Sequence, residues 1–458
     1  MIFFEKIFIK GSESIKETMS VIDHGALGLA ILINEKKCLC GIVTDGDIRR
    51  ALIKGIDVNS PVKEIINYQP IFLKNNILNK KIDRFIPIEI ALRIPVVNEL
   101  NEVIDINLFY TDSNNNPILI PIVKNNNPKI NKVLITGGAG YVGSILSRRL
   151  LKNGYRVTIL DNLTYGDHGI RDIKDNKFIF IKGDCRNISD LTNAISGVDA
   201  VIHLAAIVGD PASALNPRQT IETNYLATTT LAQACKFNQI NRFLFISTCS
   251  VYGAQSGKDK ITENHPLNPV SLYAQTKIKS EEGIMALTDK NFSPTIFRFA
   301  TLFGNSPRMR FDLAINVLSA KAFLNKKIEI FGGEQYRPFL HVADAATACH
   351  AWLELSLNQV GNQIFNVGFS EQNLKIKEVG EIIKKILPDT EIITNNNLSD
   401  QRDYNVSFAK FSNTFSPDSP KTISLSVKEI ANLIAFEKIT DITAGRFNNY
   451  EQLRHSTI

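Results

Sequence analysis

The sequence predicts an α/β protein in which a domain with a doubly wound parallel sheet follows a smaller α/β domain. The chain has 458 residues, well above the roughly 250–300 at which one hydrophobic core stops growing. In the C-terminal part, short apolar runs alternate with helical patterns, and the first run leads into three spaced glycines within residues 137–143. An Asn- and Pro-rich stretch at residues 123–132 (VKNNNPKINK) precedes this region, as is common between domains.

The composition narrows the possible functions. With 44% hydrophobic and 21% charged residues, the chain resembles an ordinary globular protein. It has no run of about 18 apolar residues, and its N-terminal sequence MIFFEKIFIKGSE mixes charges with apolar residues, unlike a signal peptide. We therefore expect a cytoplasmic protein without membrane contact. The net charge of +6 is small for this length, and the Lys and Arg residues form no basic block, so a nucleic-acid partner is not expected.

The cysteines indicate neither a disulfide framework nor a zinc site. The six are scattered, no CxxC pair occurs, and no histidines cluster at ligand spacing. We therefore expect no metal site. Their positions are 38, 40, 185, 235, 249 and 349.

The predicted domains are residues 1–124, a linker at 125–131, and residues 132–458. In the first domain, apolar runs at 29–33, 40–43 and 95–97 alternate with helical patterns such as 47–52. In the last, the alternation of strand and helix is regular, which is typical of a parallel, doubly wound sheet. Its strand candidates are residues 133–135, 156–160, 178–181, 200–203 and 242–247.

The glycines follow an apolar strand in the segment 133–143 (VLITGGAGYVG). Gly137 would permit a tight turn, Gly140 would let the backbone approach a pyrophosphate, and Gly143 would let a helix pack closely on the strand. The positive end of that helix would then face the phosphates. This segment predicts a dinucleotide site.

Asp161 follows the next predicted strand at the spacing expected of a carboxylate that binds the adenosine ribose. A carboxylate there repels a 2′-phosphate, so NAD is favoured over NADP as the cofactor. A solvated aspartate at a strand end is the alternative reading.

A candidate catalytic group follows the strand at residues 242–247. Tyr273 and Lys277 stand four residues apart in YAQTK, which places them on one helical face. An ammonium beside a tyrosine favours the phenolate and brings its pKa toward a usable range. Thr248, at the strand end, could hydrogen-bond the same substrate oxygen.

Taken together, these motifs resemble the extended short-chain dehydrogenase/reductase family, in its NAD-dependent nucleotide-sugar epimerase/dehydratase branch. The resemblance covers residues of about 132–440 and implies a Rossmann domain with a smaller C-terminal substrate lobe. It implies catalytic roles for Thr248, Tyr273 and Lys277, the last two also touching the cofactor. The cofactor-binding positions that it implies are Gly137, Gly140, Tyr141, Val142, Gly143, Asp161, Asn162, Asp184, Cys185, Leu204, Ala205, Ala206 and Asn224.

The resemblance also implies a nucleotide-diphosphate sugar as substrate. Arginines suit its phosphates because guanidinium groups bind them in a bidentate manner. The segment 306–312 (SPRMRFD) looks like a distinct substrate loop with additional cations. The substrate-binding positions expected are Thr248, Thr301, Arg310, Arg337 and Arg402. His203 and His341 lie in or beside apolar strands, where a packed, hydrogen-bonded imidazole is expected. A homodimer through the helix of Tyr273 and the one beginning near Asn224 is expected from the family.

The residues after Thr248 bear on the reaction type. Relatives that resemble 4,6-dehydratases have an Asp-Glu pair there, and sugar-acid decarboxylases have Glu at the second position. This chain has Cys249 and Ser250, and a hydroxyl does not replace a carboxylate as a base. We therefore expect a 4-epimerase, with a dehydratase, a reductase or dehydrogenase, a decarboxylase and a non-catalytic nucleotide sensor as alternatives. Cys249 could instead be an acid–base thiol, although a small pocket residue is the simpler reading.

The N-terminal domain resembles a pair of CBS domains. Residues 41–50 (GIVTDGDIRR) follow a strand and open a helix, with Thr44 and Asp47 placed to bind a nucleotide. Residues 94–103 look like the core of a second, degenerate repeat. The module could bind an adenine nucleotide, or it could be dimerising or structural, because Thr and Asp are also common helix caps.

Overall fold

The computed structural model describes residues 6–25, 27–74, 92–111, 117–121, 130–254, 260–289, 291–395 and 403–456. The chain forms two compact units, residues 1–129 and 130–458, and the division falls within the predicted linker. Among the described residues, no helix has both the length and the apolarity needed to cross a membrane.

The N-terminal unit contains two small sheets. The first has the order β1-β2-β3, with β1 parallel to β2 and β2 antiparallel to β3, and the second has the order β4-β5-β6-β7. The elements are β1 (Phe8–Ile9), α1 (Ile15–Gly25), β2 (Leu29–Ile33), β3 (Leu39–Thr44), α2 (Asp45–Ile53), β4 (Leu73–Lys74), β5 (Leu92–Val97), β6 (Val103–Thr111) and β7 (Pro117–Pro121).

The two halves of this unit differ after their antiparallel strand pairs. In the first half, β3 leads directly into α2, as residues 41–50 predict. In the second half, β5 and β6 pair antiparallel and the next described element is the strand β7, which pairs with β6. The segment 94–103 therefore lies in a hairpin that continues as sheet.

The second unit begins with β8 and ends with α15. Its elements are β8 (Lys132–Thr136), α3 (Tyr141–Lys152), β9 (Arg156–Asp161), β10 (Phe178–Lys182), α4 (Ile188–Ile195), β11 (Ala200–His203), α5 (Asp210–Leu215), α6 (Pro217–Ile221), α7 (Ala227–Phe237), β12 (Arg242–Thr248), α8 (Leu272–Ala286), β13 (Thr295–Phe299), β14 (Thr301–Phe303), α9 (Ala314–Asn325), β15 (Lys327–Phe331), β16 (Tyr336–His341), α10 (Val342–Glu354), α11 (Leu357–Val360), β17 (Gln363–Val367), β18 (Asn373–Lys375), α12 (Ile376–Ile386), β19 (Glu391–Asn395), α13 (Ala409–Phe415), α14 (Ile423–Glu437) and α15 (Asn449–Ser456).

A seven-stranded sheet dominates this unit. Its order is β10-β9-β8-β11-β12-β13-β17, and every neighbouring pair is parallel. The predicted doubly wound fold is confirmed, and all five predicted strands lie in this sheet. The strands β13 and β17 extend it beyond the prediction.

Both faces of the sheet are covered, as expected for a parallel sheet. Alternate residues of β8 point to opposite faces, so Val133 and Ile135 pack in one core cluster and Leu134 packs in another. The first cluster includes side chains of α3 and α10, and the second includes side chains of α4 and α7. The centre of β8 is therefore fully buried.

A C-terminal lobe is built from segments that leave the large sheet. It contains a three-stranded sheet, β14-β16-β18, and a two-stranded one, β15-β19. A separate core cluster joins these strands to α9, α12 and α14. This is the smaller lobe that the sequence predicts.

The strand order reverses between β8 and β11. Thr136 and His203, the last residues of these strands, are paired in the sheet. In doubly wound sheets, ligands bind outside the carboxyl ends of the strands at such a reversal. The fold thus places a binding cleft beside the glycine-rich turn.

Candidate active site

A cleft runs along the carboxyl ends of the strands and between the sheet and the C-terminal lobe. Most of the predicted site residues line it. These are Gly137, Gly140, Tyr141, Val142, Gly143, Asp161, Asn162, Cys185, Leu204, Ala205, Ala206, Thr248, Tyr273, Lys277, Thr301 and Arg310.

The glycine turn has the geometry of a phosphate cradle. Gly137 has φ +72, and a Cβ there would lie 2.7 Å from backbone atoms of Ala205. A Cβ on Gly143 would lie 2.6 Å from the carbonyl oxygen of Gly137. Gly140 precedes α3, and no side chain among the described residues caps the helix there. The first N–H groups of α3 are therefore available to an anion, so this turn fits a dinucleotide diphosphate.

Asp161 ends β9 beside this turn. One carboxylate oxygen accepts from the N–H of Ala139 at 3.0 Å and the other from Leu163 at 2.8 Å. Burial raises the pKa of this carboxyl, and the two backbone hydrogen bonds oppose that rise. Each oxygen keeps a lone pair for a further donor, so the side chain fits a ribose diol.

Asp184 and Asn224 hold the walls of the cleft without lining it in the described part of the chain. Asp184 accepts three hydrogen bonds from Arg186, two from its side chain and one from its N–H, and one from Asn162; although burial raises its pKa, these bonds lower it to about 2. Asn224 accepts from the N–H of Ile207 at 2.8 Å and donates to its carbonyl at 2.9 Å. Both side chains thus bind neighbouring loop residues. Their direct contact with the cofactor, which the family resemblance implies, stays a prediction.

Thr248 and Tyr273 lie together in the cleft. Thr248 ends β12, and Tyr273 is the second residue of α8. The Thr248 hydroxyl accepts from the N–H of Ser250 at 3.1 Å, which leaves its proton free to be donated to the phenol oxygen. Burial raises the pKa of Tyr273, whereas the charge of Arg310 and the hydroxyl of Thr248 lower it.

Lys277 lies on the same helical face as Tyr273, and its effect on the phenol stays a prediction. Its Nζ donates to the carbonyl of Ile246 at 2.7 Å and lies 6.0 Å from the centroid of the Tyr273 ring. Burial lowers the pKa of Lys277 to about 7, because the charged amine loses its hydration. The charge of Arg310 also lowers the pKa of Tyr273 and so favours the phenolate.

Arg310 belongs to the segment 306–312, between β14 and α9. It makes two hydrogen bonds of 2.9 Å to the carboxylate of Asp312, and both side chains are largely buried. This pairing orients the guanidinium in the cleft. Thr301, at the start of β14, also lines the cleft.

The remaining predicted phosphate-binding arginines are Arg337 and Arg402. Arg337, in β16, is 5% exposed, donates to the carbonyl of Tyr336 at 3.1 Å and lies 5.1 Å from the ring centroid of Tyr404. Tyr404 lines the cleft, whereas Arg337 lies one layer behind it among the described residues. Arg402 lies outside the described residues.

The two histidines have structural partners. His203 contacts the hydroxyls of Thr136 at 2.6 Å and Thr228 at 2.7 Å, and burial lowers its pKa to about 3. His341 accepts from the N–H of Ala343 and lies 3.3 Å from Glu429. Both are packed, hydrogen-bonded imidazoles in this fold.

Cys249 is 1% exposed, and its thiol donates to the carbonyl of Arg298 at 3.3 Å. Burial raises its pKa. A protonated thiol that faces the core does not exchange protons with a substrate.

Thr44 and Asp47, in the N-terminal unit, form a capping box at α2. The Thr44 hydroxyl accepts from the N–H of Asp47, and the Asp47 carboxylate accepts from the N–H of Thr44 at 2.9 Å. Asp47 also accepts from Arg50 at 2.6 Å. These hydrogen bonds show that both residues cap the N-terminus of α2.

Some cleft residues were not predicted from the sequence. Arg308 lies in the segment 306–312, which was predicted as a substrate loop, but Arg308 itself was not among the predicted site residues. Others come from distant parts of the chain with no motif that marks them. They include Asp210, Asn449 and Leu453, whereas Tyr165, Leu313 and Tyr404 adjoin Asp161, the segment 306–312 and Arg402, respectively.

Comparisons with known proteins agree with this geometry. The model of the NAD dependent epimerase/dehydratase family matches residues 133–368. An uncharacterized UDP-glucose epimerase of Bacillus subtilis is 34% identical over 262 residues, which span 55% of this chain and 81% of the relative. The UDP-glucose 4-epimerase of Corynebacterium glutamicum is 30% identical over 276 residues, with coverage of 56% and 80%.

A solved structure of an epimerase is also similar to this chain. The UDP-glucuronic acid 4-epimerase from Bacillus cereus, in complex with UDP-glucuronic acid and NAD, is 28% identical to this chain. The match has a TM-score of 0.60 and covers 67% of this chain and 99% of that one.

Proposed function

Because the chain belongs to the NAD-dependent epimerase/dehydratase family, we propose that it is an NAD-dependent 4-epimerase of a UDP-sugar. The observation that carries this proposal is the Thr248–Tyr273 pair, which lies in the same cleft as the glycine cradle. Relatives named as UDP-glucose and UDP-glucuronic acid 4-epimerases support the substrate class.

NAD, when bound, supplies a reversible hydride acceptor for oxidation and reduction of a carbinol. The first turn of α3 would hold its diphosphate, and Asp161 would hold the adenosine ribose. A carboxylate at this position also disfavours the 2′-phosphate of NADP.

Tyr273 takes the proton of the sugar 4-hydroxyl as the carbon is oxidised and returns it after the ketone is reduced from the opposite face. Thr248 holds the same oxygen by its hydroxyl, and Arg310 stabilises the phenolate. Lys277 binds the carbonyl of Ile246 and so fixes the end of β12 against α8. The reaction needs no further acid or base, because the sugar only has to rotate between the two hydride transfers.

The positions beside Thr248 favour this reaction over elimination of water. A dehydratase needs an acid and a base for the second step. Cys249 faces the core as a protonated thiol, and Ser250 is a hydroxyl. Neither offers the carboxylate that an elimination or a sugar-acid decarboxylation would use there.

The experiment is a product screen with UDP-, GDP-, CDP- and dTDP-sugars in the presence of NAD, read by NMR and mass spectrometry. We expect interconversion of C4 epimers of a UDP-sugar without net reduction of NAD. Tyr273→Phe should abolish turnover while NAD binding persists, and Tyr68→Phe, at an exposed tyrosine, should have full activity. Unchanged turnover in Tyr273→Phe would refute an enzymatic role for this site, and stoichiometric NADH would indicate a dehydrogenase.

For the N-terminal unit we propose a CBS-like pair that binds an adenine nucleotide or serves in dimerisation. The passage from β3 into α2 at residues 41–50 supports the first repeat. The capping role of Thr44 and Asp47 favours the dimerising or structural reading. Thermal unfolding with and without AMP, ADP or ATP, measured with NAD saturating the cleft, distinguishes the two, because a nucleotide that then still raises the unfolding temperature binds elsewhere.

We also propose a cytoplasmic homodimer formed through α7 and α8. Exposed apolar side chains near the start and at the end of α7, Leu226 and Phe237, support a contact at this face. Sedimentation at micromolar concentration should give a dimer, and a monomer would contradict it. Cell fractionation tests the cytoplasmic location.

A further inference from the structure

Arg308 is a buried cation with unused hydrogen-bonding capacity. It is 3% exposed and lines the cleft. Among the described residues, none accepts a hydrogen bond from its Nε or Nη2. Leaving buried charged donors unpaired costs more than leaving neutral ones unpaired. This arrangement points to a ligand that supplies the missing acceptors.

Tyr165 adds a second polar group of the same kind. The guanidinium carbon of Arg308 lies 4.7 Å from the centroid of the Tyr165 ring. The Tyr165 hydroxyl is buried, lines the cleft and has no hydrogen-bond partner in the described part of the chain. Arg308 and Tyr165 therefore form a small donor cluster that faces the cavity.

This cluster is fixed beside the start of α3. The Tyr141 hydroxyl donates to the carbonyl of Gly304 at 2.6 Å, and the Ser306 hydroxyl donates to the carbonyl of Tyr141 at 2.7 Å. Ser306 also contacts the hydroxyl of Ser144 at 2.9 Å. Arg308 follows two residues after Ser306, so it is held close to the uncapped N–H groups of the helix.

The charges around Arg308 favour an anion of high charge. Asp312 is already engaged by both arms of Arg310. Burial and the charge of Arg310 lower the pKa of Arg308 to about 10. A negatively charged ligand in this part of the cleft would favour the charged form of Arg308 and so oppose the effects of burial and of Arg310 on its pKa.

We propose that Arg308, with Tyr165, binds the diphosphate of the dinucleotide and closes the cradle formed by the glycine turn. The inference rests on the proposed function, which places NAD in this cleft. The dinucleotide is favoured over the sugar nucleotide because the cluster adjoins α3 and because Tyr165 follows Asp161 in the turn after β9. A guanidinium fork suits the oxygens of a diphosphate.

Calorimetric titration of the full-length protein with NAD, ADP, adenosine and UDP tests this. Arg308→Gln should weaken NAD and ADP binding about 10- to 100-fold, the range expected for hydrogen bonds to a charged group. Adenosine and UDP affinities should not change. Arg171→Gln, at an exposed arginine, is the matched control and should match the wild type.

Other patterns would overturn the inference. A loss of UDP affinity with normal NAD binding would assign Arg308 to the sugar nucleotide, and equal losses for ADP and adenosine would indicate a structural role. Unchanged affinities would remove Arg308 from both sites. Failure of the wild type to bind NAD would instead refute the proposed function.

Two further measurements guard against misfolding. Because Arg308→Gln removes an unpaired buried charge, we expect the ligand-free variant to unfold at the same temperature as the wild type or higher; marked destabilisation would indicate a structural role. Tyr165→Phe, which removes only a hydroxyl, should weaken ADP binding several-fold and leave adenosine binding unchanged. If Arg308→Gln does not fold, this second variant decides the question, and normal ADP binding by it would contradict the proposal.

Discussion

Arg298 and Glu281 form a buried ion pair that joins β13 to α8. Arg298 Nη2 lies 2.6 Å from Glu281 Oε2, and both side chains are 4% exposed. Glu281 also accepts from the hydroxyl of Ser247, and Arg298 donates to the hydroxyl of Tyr252 at 2.9 Å. The helix that carries Tyr273 is thus fixed to the sheet by a charged network rather than by apolar packing alone.

Glu281→Gln should therefore destabilise the protein. Removal of one partner leaves the Arg298 charge buried and unpaired, which typically costs about 3–5 kcal/mol. Urea denaturation followed by circular dichroism measures the change. Lys279→Gln, on an exposed pair of the same helix, should have no measurable effect. Equal stability of Glu281→Gln and the wild type would show that the pair does not hold α8.

Gly137→Ala should weaken NAD binding more than Gly154→Ala does, although both substitutions place an alanine at a positive φ. Gly154 also has a positive φ, of +89, but a Cβ there would have no atom within 4 Å. At Gly137 the new Cβ would collide with the backbone of Ala205. Both variants carry a strain of about 1–2 kcal/mol, and only Gly137→Ala displaces the turn. Similar NAD affinities in the two variants, measured by calorimetry, would contradict the cradle.

Arg310→Gln should shift the pH dependence of turnover to higher pH. Tyr273 acts as a base when deprotonated, so the rate rises as pH passes through its pKa. Burial raises that pKa and the charge of Arg310 lowers it, so loss of the charge raises the pKa further. A profile of kcat/KM against pH should show the rising limb displaced upward.

Two variants control for side effects of this change. Arg310→Gln combined with Asp312→Asn avoids an unpaired carboxylate and should show a smaller displacement in the same direction. Asp210→Asn removes a negative charge that raises the pKa of Tyr273 and should displace the limb downward. If the rising limb of the pH profile is unchanged in both variants, these charges do not act on the pKa of Tyr273.

Thr44→Ala should lower the stability of the N-terminal unit in the absence of any nucleotide. Loss of an N-cap side chain costs about 1 kcal/mol, and the capping box at α2 depends on this hydroxyl. Thermal unfolding of the full chain measures the change. Unaltered unfolding without nucleotide, together with loss of a nucleotide-induced shift, would assign Thr44 to a binding site instead of a cap.

The sequence predicted the sheet because apolar runs and helices alternate regularly around the glycine turn. The strand β17 was missed because two of the five residues in its segment 363–367 (QIFNV) are polar, and one of them is Asn366. Its side-chain oxygen accepts from Tyr252 at 2.7 Å. Such a partner, 114 positions away in the chain, cannot be identified from local pattern.

The sequence predicts those parts of the candidate site whose residues all lie within one motif. Spacing placed Tyr273 and Lys277 on one helical face, but it did not show that the Lys277 amine binds the carbonyl of Ile246. The role of Arg310 depends on the path of the segment 306–312 across the start of α3. These relations arise from tertiary packing and have no local signature.

The most direct test of the account is epimerisation in D₂O. The protein is incubated with NAD and UDP-glucose or UDP-glucuronic acid, and the products are analysed by NMR and mass spectrometry. Because the hydrogen on carbon leaves and returns as hydride, the account predicts the C4 epimer with no deuterium bound to carbon. Deuterium on any ring carbon, or a product that has lost water, would contradict it.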